Sequence, residues 1–462
     1  MLTRDQSAAL FERVRKYATA DEVELLISSG RNELTRFANN TIHQHVAEEQ
    51  SVVSVRAVVG QKTARATTNK LDDDSLRRVV ASAEALARVQ HPDPDLLSVA
   101  GKEAAEGGPP APSRAFEATA ALTPDDRAVG VEKIVEVAQK NGLTAAGIFS
   151  SGQSAEALLN SNGLFAWHEQ TSAEVSVTML GVDASGWQKS NSPDVAKLDP
   201  VALAETAARK ARASSAPREI PPGKYTVVLE PAAVLDLVGF MFYDFGGMAL
   251  LEQRSFLNNR LGGRIFGENI TIYDDVYHPL QSGAPFDGEG VRRRRVQLVV
   301  KGAVKNLVYA RATAEKMKRS ELSAQAGRIE STGHGFPLPN EMGEAPMNIV
   351  FDSGPAASTQ TVDQMVAGTE CGILVTRLWY IREVDPYEKI LTGMTRDGTF
   401  LIENGRLQHG VRNFRFNQGL VHMLSSVEAM SAPVRTSGEE SFDMVVPAMK
   451  VRDFNFTEVT KF

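Results

Sequence analysis

Cysteine is nearly missing from this chain. One residue, Cys371, occurs in 462, so no intramolecular disulfide can form and no cysteine framework can hold a structural zinc ion. Long hydrophobic runs are missing too. No stretch of about 18 consecutive apolar residues occurs, which excludes an obvious membrane-spanning helix. The opening residues, MLTRDQSAALFERVRK, lack an apolar segment after a basic start and do not read as a secretory signal. There is no basic excess: the formal net charge is −7 and the pI about 5.8, which argues against direct contact with nucleic acid. A cytoplasmic protein is the expectation. With 42% hydrophobic and 23% charged residues the composition is that of an ordinary globular protein. The length calls for roughly two to four domains rather than one core.

What is present begins with a helical pattern over residues 3–18, with Thr3 and Gln6 spaced as a capping box. Strand-like runs follow at 23–28, 34–37, 42–46, 51–59 and 62–67, and a second amphipathic helix at 72–89. Residues 91–122 start as a stretch rich in Pro, Gly, Ala and acidic residues and read as a linker. A helix over 123–141 then opens an echo of the first 90 residues. Ser28-Ser29-Gly30 recurs as Ser150-Ser151-Gly152, an offset of 122 residues (150 − 28). At the same offset Asn40 recurs as Asn162 and Val53-Ser54-Val55 as Val175-Ser176-Val177; after a small insertion Leu71-Asp72 recurs as Leu198-Asp199. Two α+β units, 1–90 and 123–220, each with one sheet face to cover, are expected to pack as pseudo-symmetric partners.

From 221 to 462 turn signals are dense and helices few. Strands are expected at 270–273, 296–300, 303–309, 348–352, 372–379, 399–403, 406–411 and 444–446, with Asn404-Gly405 as a hairpin turn. Helices are expected at 310–318, 358–364 and 419–429. The stretch YTVVLEPAAVLDLVGFMFYDFGGMALL stands out: a buried strand, then after Pro231 helical spacing of Val234, Leu235, Val238, Phe242 and Phe245. A buried helix at about 231–251 is the expectation, interrupted by Gly239, Gly246 and Gly247. The fold class is α+β: duplicated helix and antiparallel-sheet units, then a large β-rich domain.

Motifs for catalysis are sparse. Of eight histidines, none pairs with another at the spacing of a zinc helix. His43 and His45 fall on one side of a strand and could share a metal, or stand as exposed polar residues. Cys371 precedes an apolar strand, where a small buried hydrophobe is the usual state. Arg292–Arg295 is the one basic run; on a strand its members alternate faces, with Asp287 and Glu289 upstream as partners. No glycine-rich phosphate loop, dinucleotide fingerprint or nucleophile elbow occurs in a fitting context.

An ordered set of strings runs through most of the chain: ELTRFANNTIHQ, LLNSNGLFAWHEQTSAEVSV, RSFL, PFDGEGV, STGHGF, LVT, FLIENGR and the late VVPAMKV. Together they resemble the TldD/PmbA family of metallopeptidases, long labelled modulators of DNA gyrase. The resemblance implies a duplicated N-terminal half, a β-rich C-terminal domain, and a subunit that joins a TldD-like partner, or itself, to act on unfolded peptides. It also implies that the TldD-like partner holds zinc through His-Glu-x-x-x-His on the helix after the first strand of the last domain, plus a cysteine near its C-terminus. The matching helix here has Phe240, Asp244 and Phe245 and no histidine, and residues 431–451 contain no cysteine. The similarity is therefore to the PmbA (TldE) type, with no catalytic or metal residue and no cofactor in this chain. Asp287, Glu289 and His334 are candidates for lining a peptide groove, with turn-forming roles as the alternative for each. Bulky residues at 377–389 (RLWYIREVDPYEK) depart from the family's small-residue pattern. Two other functions stay open: a stand-alone hydrolase with a site near His43/His45 or His334, and a non-catalytic regulatory binding protein.

Overall fold

The structure, a computed structural model, describes residues 1–355 and 358–460. Its N-terminal half runs α1 (Arg4–Tyr17), β1 (Glu22–Ala38), β2 (Thr41–Val59), β3 (Lys62–Thr68) and α2 (Asp73–Val89). A connecting segment carries the short α3 (Glu117–Ala120). Then come α4 (Pro124–Lys140), β4 (Thr144–Asn160), β5 (Phe165–Leu180), β6 (Ser185–Ser192) and α5 (Pro200–Ala213). Thr3 and Gln6 form the expected capping box, Thr123 and Asp126 a second, and Asp72 and Asp199 cap α2 and α5.

The six strands make one antiparallel sheet in the order β3-β2-β1-β4-β5-β6. β1 shifted by 122 positions is β4, residue for residue at both ends. Where β1 and β4 pair, Arg31 lies opposite Gln153, its own equivalent at that offset, so a pseudo-twofold axis passes between them. The duplication read from short strings is thus a geometric fact. Each half buries its apolar sheet face under two helices: Leu25, Val53 and Val55 under α1 and α2, and Phe149, Val175 and Val177 under α4 and α5. The wholly buried Arg127 of α4 reaches Glu33 of β1 at 2.8 Å and so crosses between the halves.

The strands are longer than the sequence suggests. The runs at 23–28 and 34–37 belong to one strand, as do 42–46 and 51–59. Gly30-Arg31-Asn32 looks like a turn, but neighbours on both sides hold it extended, with Gly30 paired to Gln50 and Ser154. The connecting segment is not all exposed either: Val99 and Ala100 are buried, and Asn160 donates to the Ala100 carbonyl at 2.8 Å.

The C-terminal half starts with β7 (Gly223–Leu229), α6 (Pro231–Val238), a 3-10 turn (Gly239–Phe245) and α7 (Gly247–Leu251). It continues with β8 (Ile272–Asp274), β9 (Val296–Val300), β10 (Ala303–Val304), α8 (Arg311–Arg319), β11 (Ile349–Phe351) and α9 (Val362–Ala367). The long hairpin β12 (Cys371–Asp385) and β13 (Ile390–Glu403) follows, then β14 (Arg406–Gly410), β15 (Phe414–Gly419) and α10 (Leu420–Ser425). β16 (Val427–Met430), β17 (Val434–Thr436), β18 (Met444–Val446) and β19 (Met449–Val459) complete it. β12, β7, β19, β15 and β13 pair in that order and β13 pairs back to β12, closing a small barrel. Phe414, Phe416, Phe454 and Phe456 pack together in its core, Phe414 stacked on Phe456 at 4.7 Å. A second sheet, β10-β9-β8-β11-β18-β17, lies on the same core.

Several local expectations change. The buried helix at 231–251 is three pieces, because the chain must pass close to others at its glycines. A Cβ on Gly239 would collide with Ser441, one on Gly246 with the Glu344 backbone, and one on Gly247 with the Tyr309 ring. The helix expected over 419–429 stops at Ser425 and continues as β16, which pairs with β19. The helix expected at 358–364 runs instead from Val362 to Ala367, where Thr361 caps it. Of the strand expected at 303–309 only Ala303 and Val304 form one. Arg292–Arg295 precede β9 rather than lying on it, and Glu289 pairs with Arg311 instead of that run. Cys371 is exposed at the start of β12, not buried. Among the described residues no helix is long and apolar enough to cross a membrane.

Candidate functional site

The broken helix after β7 forms one wall of a cavity of about 510 Å³ whose lining includes Tyr243, Asp244, Arg254, Glu383, Lys389 and Glu440. Pro231 starts α6 at a position where its missing N–H costs nothing. One turn on, the fully buried Asp236 accepts hydrogen bonds from the backbone N–H groups of Glu439 and Glu440 at 3.1 and 3.0 Å, both on Oδ1. Burial pushes its carboxyl up to about 7. Glu440 in turn accepts the Tyr380 N–H at 2.7 Å. The helix thereby fixes the loop at 438–440, and the loop fixes the β12–β13 hairpin.

Asp244 lies where the resemblance puts a metal-binding helix. Its Oδ1 accepts the Phe256 N–H at 3.0 Å and its Oδ2 lies 2.6 Å from Lys389 Nζ. Lys389, 4% exposed, also reaches Glu383 at 2.8 Å and the Phe240 carbonyl at 3.3 Å. All three N–H donors of the ammonium are therefore used. Burial pushes the Asp244 carboxyl up even with Lys389 beside it. Phe240 contributes its backbone carbonyl, and Phe245 packs in the core against Phe242 and Phe256. A carboxylate already held by an ammonium, with no imidazole or thiolate near it in sequence, is not a zinc donor set. Among the described residues no group of three or more His, Cys, Asp or Glu could hold a metal ion.

The three groove candidates sit elsewhere, and all are buried. Asp287 accepts from the N–H groups of Glu289, Val291 and Gly335 at 2.9, 2.9 and 2.7 Å, organising its turn. Burial, with Glu289 nearby, pushes its carboxyl up to about 7. Glu289 accepts the Arg311 N–H at the start of α8. His334 bridges Asp274 at 2.9 Å and Thr332 at 3.0 Å. Burial works against the Asp274 carboxylate, yet His334 beside it holds it below the usual range. The structure brings Asp287, Glu289 and Arg311 into one network of hydrogen bonds and an ion pair, and the Glu289 charge adds to the burial that pushes the Glu344 carboxyl up. His43 is exposed, and His45 bonds Thr35 at 2.9 Å. Sequence reasoning missed Asp236, Glu344 and Lys389. Glu344 accepts from Met248 at 2.8 Å and Ala310 at 3.0 Å, serving the first turns of α7 and α8 together. Each acts on residues far off in the chain, so no local pattern marks it.

Comparison with known proteins matches this architecture. Family models described as PmbA/TldA metallopeptidase domain 1, central domain and C-terminal domain match residues 23–87, 109–215 and 222–458. The chain is 22% identical to Metalloprotease PmbA of Escherichia coli O157:H7, over 84% of this chain and 82% of that one. It is also 22% identical to the Metalloprotease PmbA homolog of Haemophilus influenzae, over 98% and 99%. The crystal structure of TldE from Thermococcus kodakarensis superposes with a TM-score of 0.84 at 19% identity, covering 98% of this chain and all of that one. A Thermotoga maritima structure, labelled a candidate DNA gyrase modulator, superposes at 0.83 with 18% identity and the same coverage. With three models in order and the third spanning more than half its length, the chain belongs to the PmbA/TldD metallopeptidase family.

Proposed function

We propose that this chain is the PmbA/TldE-like subunit of a two-subunit peptidase: it holds no zinc itself and works with a TldD-like partner on unfolded or unstructured peptides, in the cytoplasm. One observation carries the reading. At the broken helix 231–251 the centre of positive charge is the Lys389 ammonium, ligated by Asp244, Glu383 and the Phe240 carbonyl. Without a metal-bound water the chain has no means of generating a hydroxide nucleophile there. The relatives named PmbA are called metalloproteases, and the similar Thermococcus protein is called TldE, which supports a role in proteolysis.

The test is reconstitution. The purified chain alone should leave an unfolded peptide such as reduced casein uncut. Addition of a TldD-like protein from the same host, with its His-Glu-x-x-x-His helix, should give chelator-sensitive cleavage that exceeds the partner's own. Chelator-sensitive cleavage by this chain alone would overturn the reading, as would a partner whose activity is indifferent to it.

A further inference from the structure

The basic run Arg292–Arg295 is divided by the fold. Arg294 pairs with Glu330 at 2.5 Å, Arg295 lies 3.9 Å from Asp275, and Arg293 Nε donates to the Phe286 carbonyl at 3.3 Å. Arg292 is left unmatched. Its guanidinium lies against the Tyr277 ring, 5.4 Å from the centroid, and among the described residues no carboxylate comes within 4.0 Å of it. Its Nε and Nη2 are both buried and have no hydrogen-bond partner. These two atoms form one side of the planar fork that grips an oxyanion through two parallel bonds. Elsewhere in the molecule the same side is filled. Arg13 gives Nε and Nη2 to Asp73 at 2.9 and 2.7 Å, Arg254 gives them to Glu252 at 2.7 and 2.6 Å, and Arg377 gives them to Asp397.

Over Arg292 lies a glycine pair of the connecting segment, 184 residues away in sequence (292 − 108). A Cβ on Gly108 would stand 2.6 Å from Arg292 Nε, so only bare backbone fits there. Gly107 and Gly108 hold φ angles of 78° and 73°, are exposed, and are followed by Pro109 and Pro110. Among the described residues neither glycine N–H makes a hydrogen bond. Backbone N–H groups beside a guanidinium fork are the parts of a phosphate cradle. The segment's own acid does not fill it: Glu106 is exposed and lies 3.5 Å from Lys102. The segment is docked just upstream, where the Arg292 N–H donates to the Ala104 carbonyl at 2.8 Å.

We propose that Arg292 and the Gly107-Gly108 turn bind a phosphate group, free or carried on a small molecule, and that the bound phosphate pins the connecting segment to the C-terminal half. A carboxylate offers two oxygens, and the fork takes both. A phosphate keeps further oxygens for the glycine N–H groups. Arg292 supplies the charge and the fork, Tyr277 a flat wall beside it, and the glycines a close approach without side chains. The site uses neither zinc nor a TldD-like partner, so its test is separate from that of the proposed peptidase role.

The experiment is calorimetric titration of the purified chain with inorganic phosphate and, separately, with phenyl phosphate, against sodium chloride at matched ionic strength. Saturable binding at millimolar or lower concentration is expected. Tighter binding of the ester identifies a phosphate monoester as the ligand, and equal or weaker binding of the ester identifies the free ion; both support the site. Arg292→Lys keeps the charge but loses the fork, and should weaken binding by about tenfold or more. Gly108→Ala puts a methyl group against Nε and should do the same, which keeps the test open if Arg292→Lys does not fold. Arg294→Gln, in the same run but paired with Glu330, should bind as the wild type does. Phosphate should also slow hydrogen exchange over residues 102–110 in the wild type and not in Arg292→Lys. No saturable binding of either probe, undiminished affinity in folded Arg292→Lys, or an equal loss in Arg294→Gln would each overturn the proposal.

Discussion

Lys389 Nζ lies 2.6 Å from Asp244 Oδ2, and this contact ties the turn of the β12–β13 hairpin to the 3-10 turn behind α6. The pair is 145 residues apart in sequence (389 − 244) and buried on both sides. Its worth lies less in Coulomb attraction than in what its loss would expose: two carboxylates, Asp244 and Glu383, left without their shared cation.

Lys389→Met is accordingly expected to lower unfolding stability by about 3–5 kcal/mol. Adding Asp244→Asn to it should restore part of that loss, because the orphaned charge is removed with its partner. Urea denaturation of the single and double variants measures both; a double variant no more stable than Lys389→Met would contradict the charge-based account.

Asp236 makes stability depend on pH. Its folded carboxyl titrates at about 7 against an ordinary 3.8, so between those values the folded chain holds a proton that the unfolded chain has lost. Stability therefore falls as pH rises from about 4 to 7 and levels off above, with a slope from this group of at most about 1.4 kcal/mol per pH unit. Both N–H donors reach Oδ1, and Oδ2 has no partner. Asp236→Asn can thus keep both hydrogen bonds, and should flatten the slope and gain relative stability at pH 8. Chemical denaturation at several pH values reads the change.

Gly239 is required by Ser441. Gly239→Ala would drive its new methyl into the Ser441 side chain and should cost about 1–3 kcal/mol by overpacking. Adding Ser441→Gly removes the obstacle and should recover most of the loss in thermal denaturation. Gly239 has right-handed helical angles (φ −56°, ψ −30°) that alanine adopts readily, so failure of that rescue would contradict the steric account.

Glu344 serves two helix starts at once through Met248 and Ala310. Glu344→Ala should cost at least about 2 kcal/mol, near the sum of two ordinary caps. Hydrogen exchange should quicken in the first turns of both α7 and α8. Faster exchange in only one helix would show that the other has a different anchor.

Much of the fold can be read along the chain because its signals are local. Thr3 and Gln6, Thr123 and Asp126 announce helix starts through bonds spanning three residues. The repeat of Ser28-Ser29-Gly30 at Ser150 reports a duplication that the Arg31–Gln153 pairing turns into symmetry. Glycines at 239, 246 and 247 foretell the interruption of the buried helix, and the missing histidines set it apart from the zinc helix that the resemblance describes.

Tertiary structure decided the rest. Gly30 lies in a straight strand because β2 and β4 pair on either side of it, overriding its turn preference. Glu289 chose Arg311 over the nearby arginine run because α8 begins beside it. Lys389 became the cation beside Asp244 only when a hairpin turn folded against the broken helix. Helix caps, repeats and absent ligands are properties of neighbours in sequence; burial and ion pairing are properties of neighbours in space, and they arise only once the chain has closed on itself.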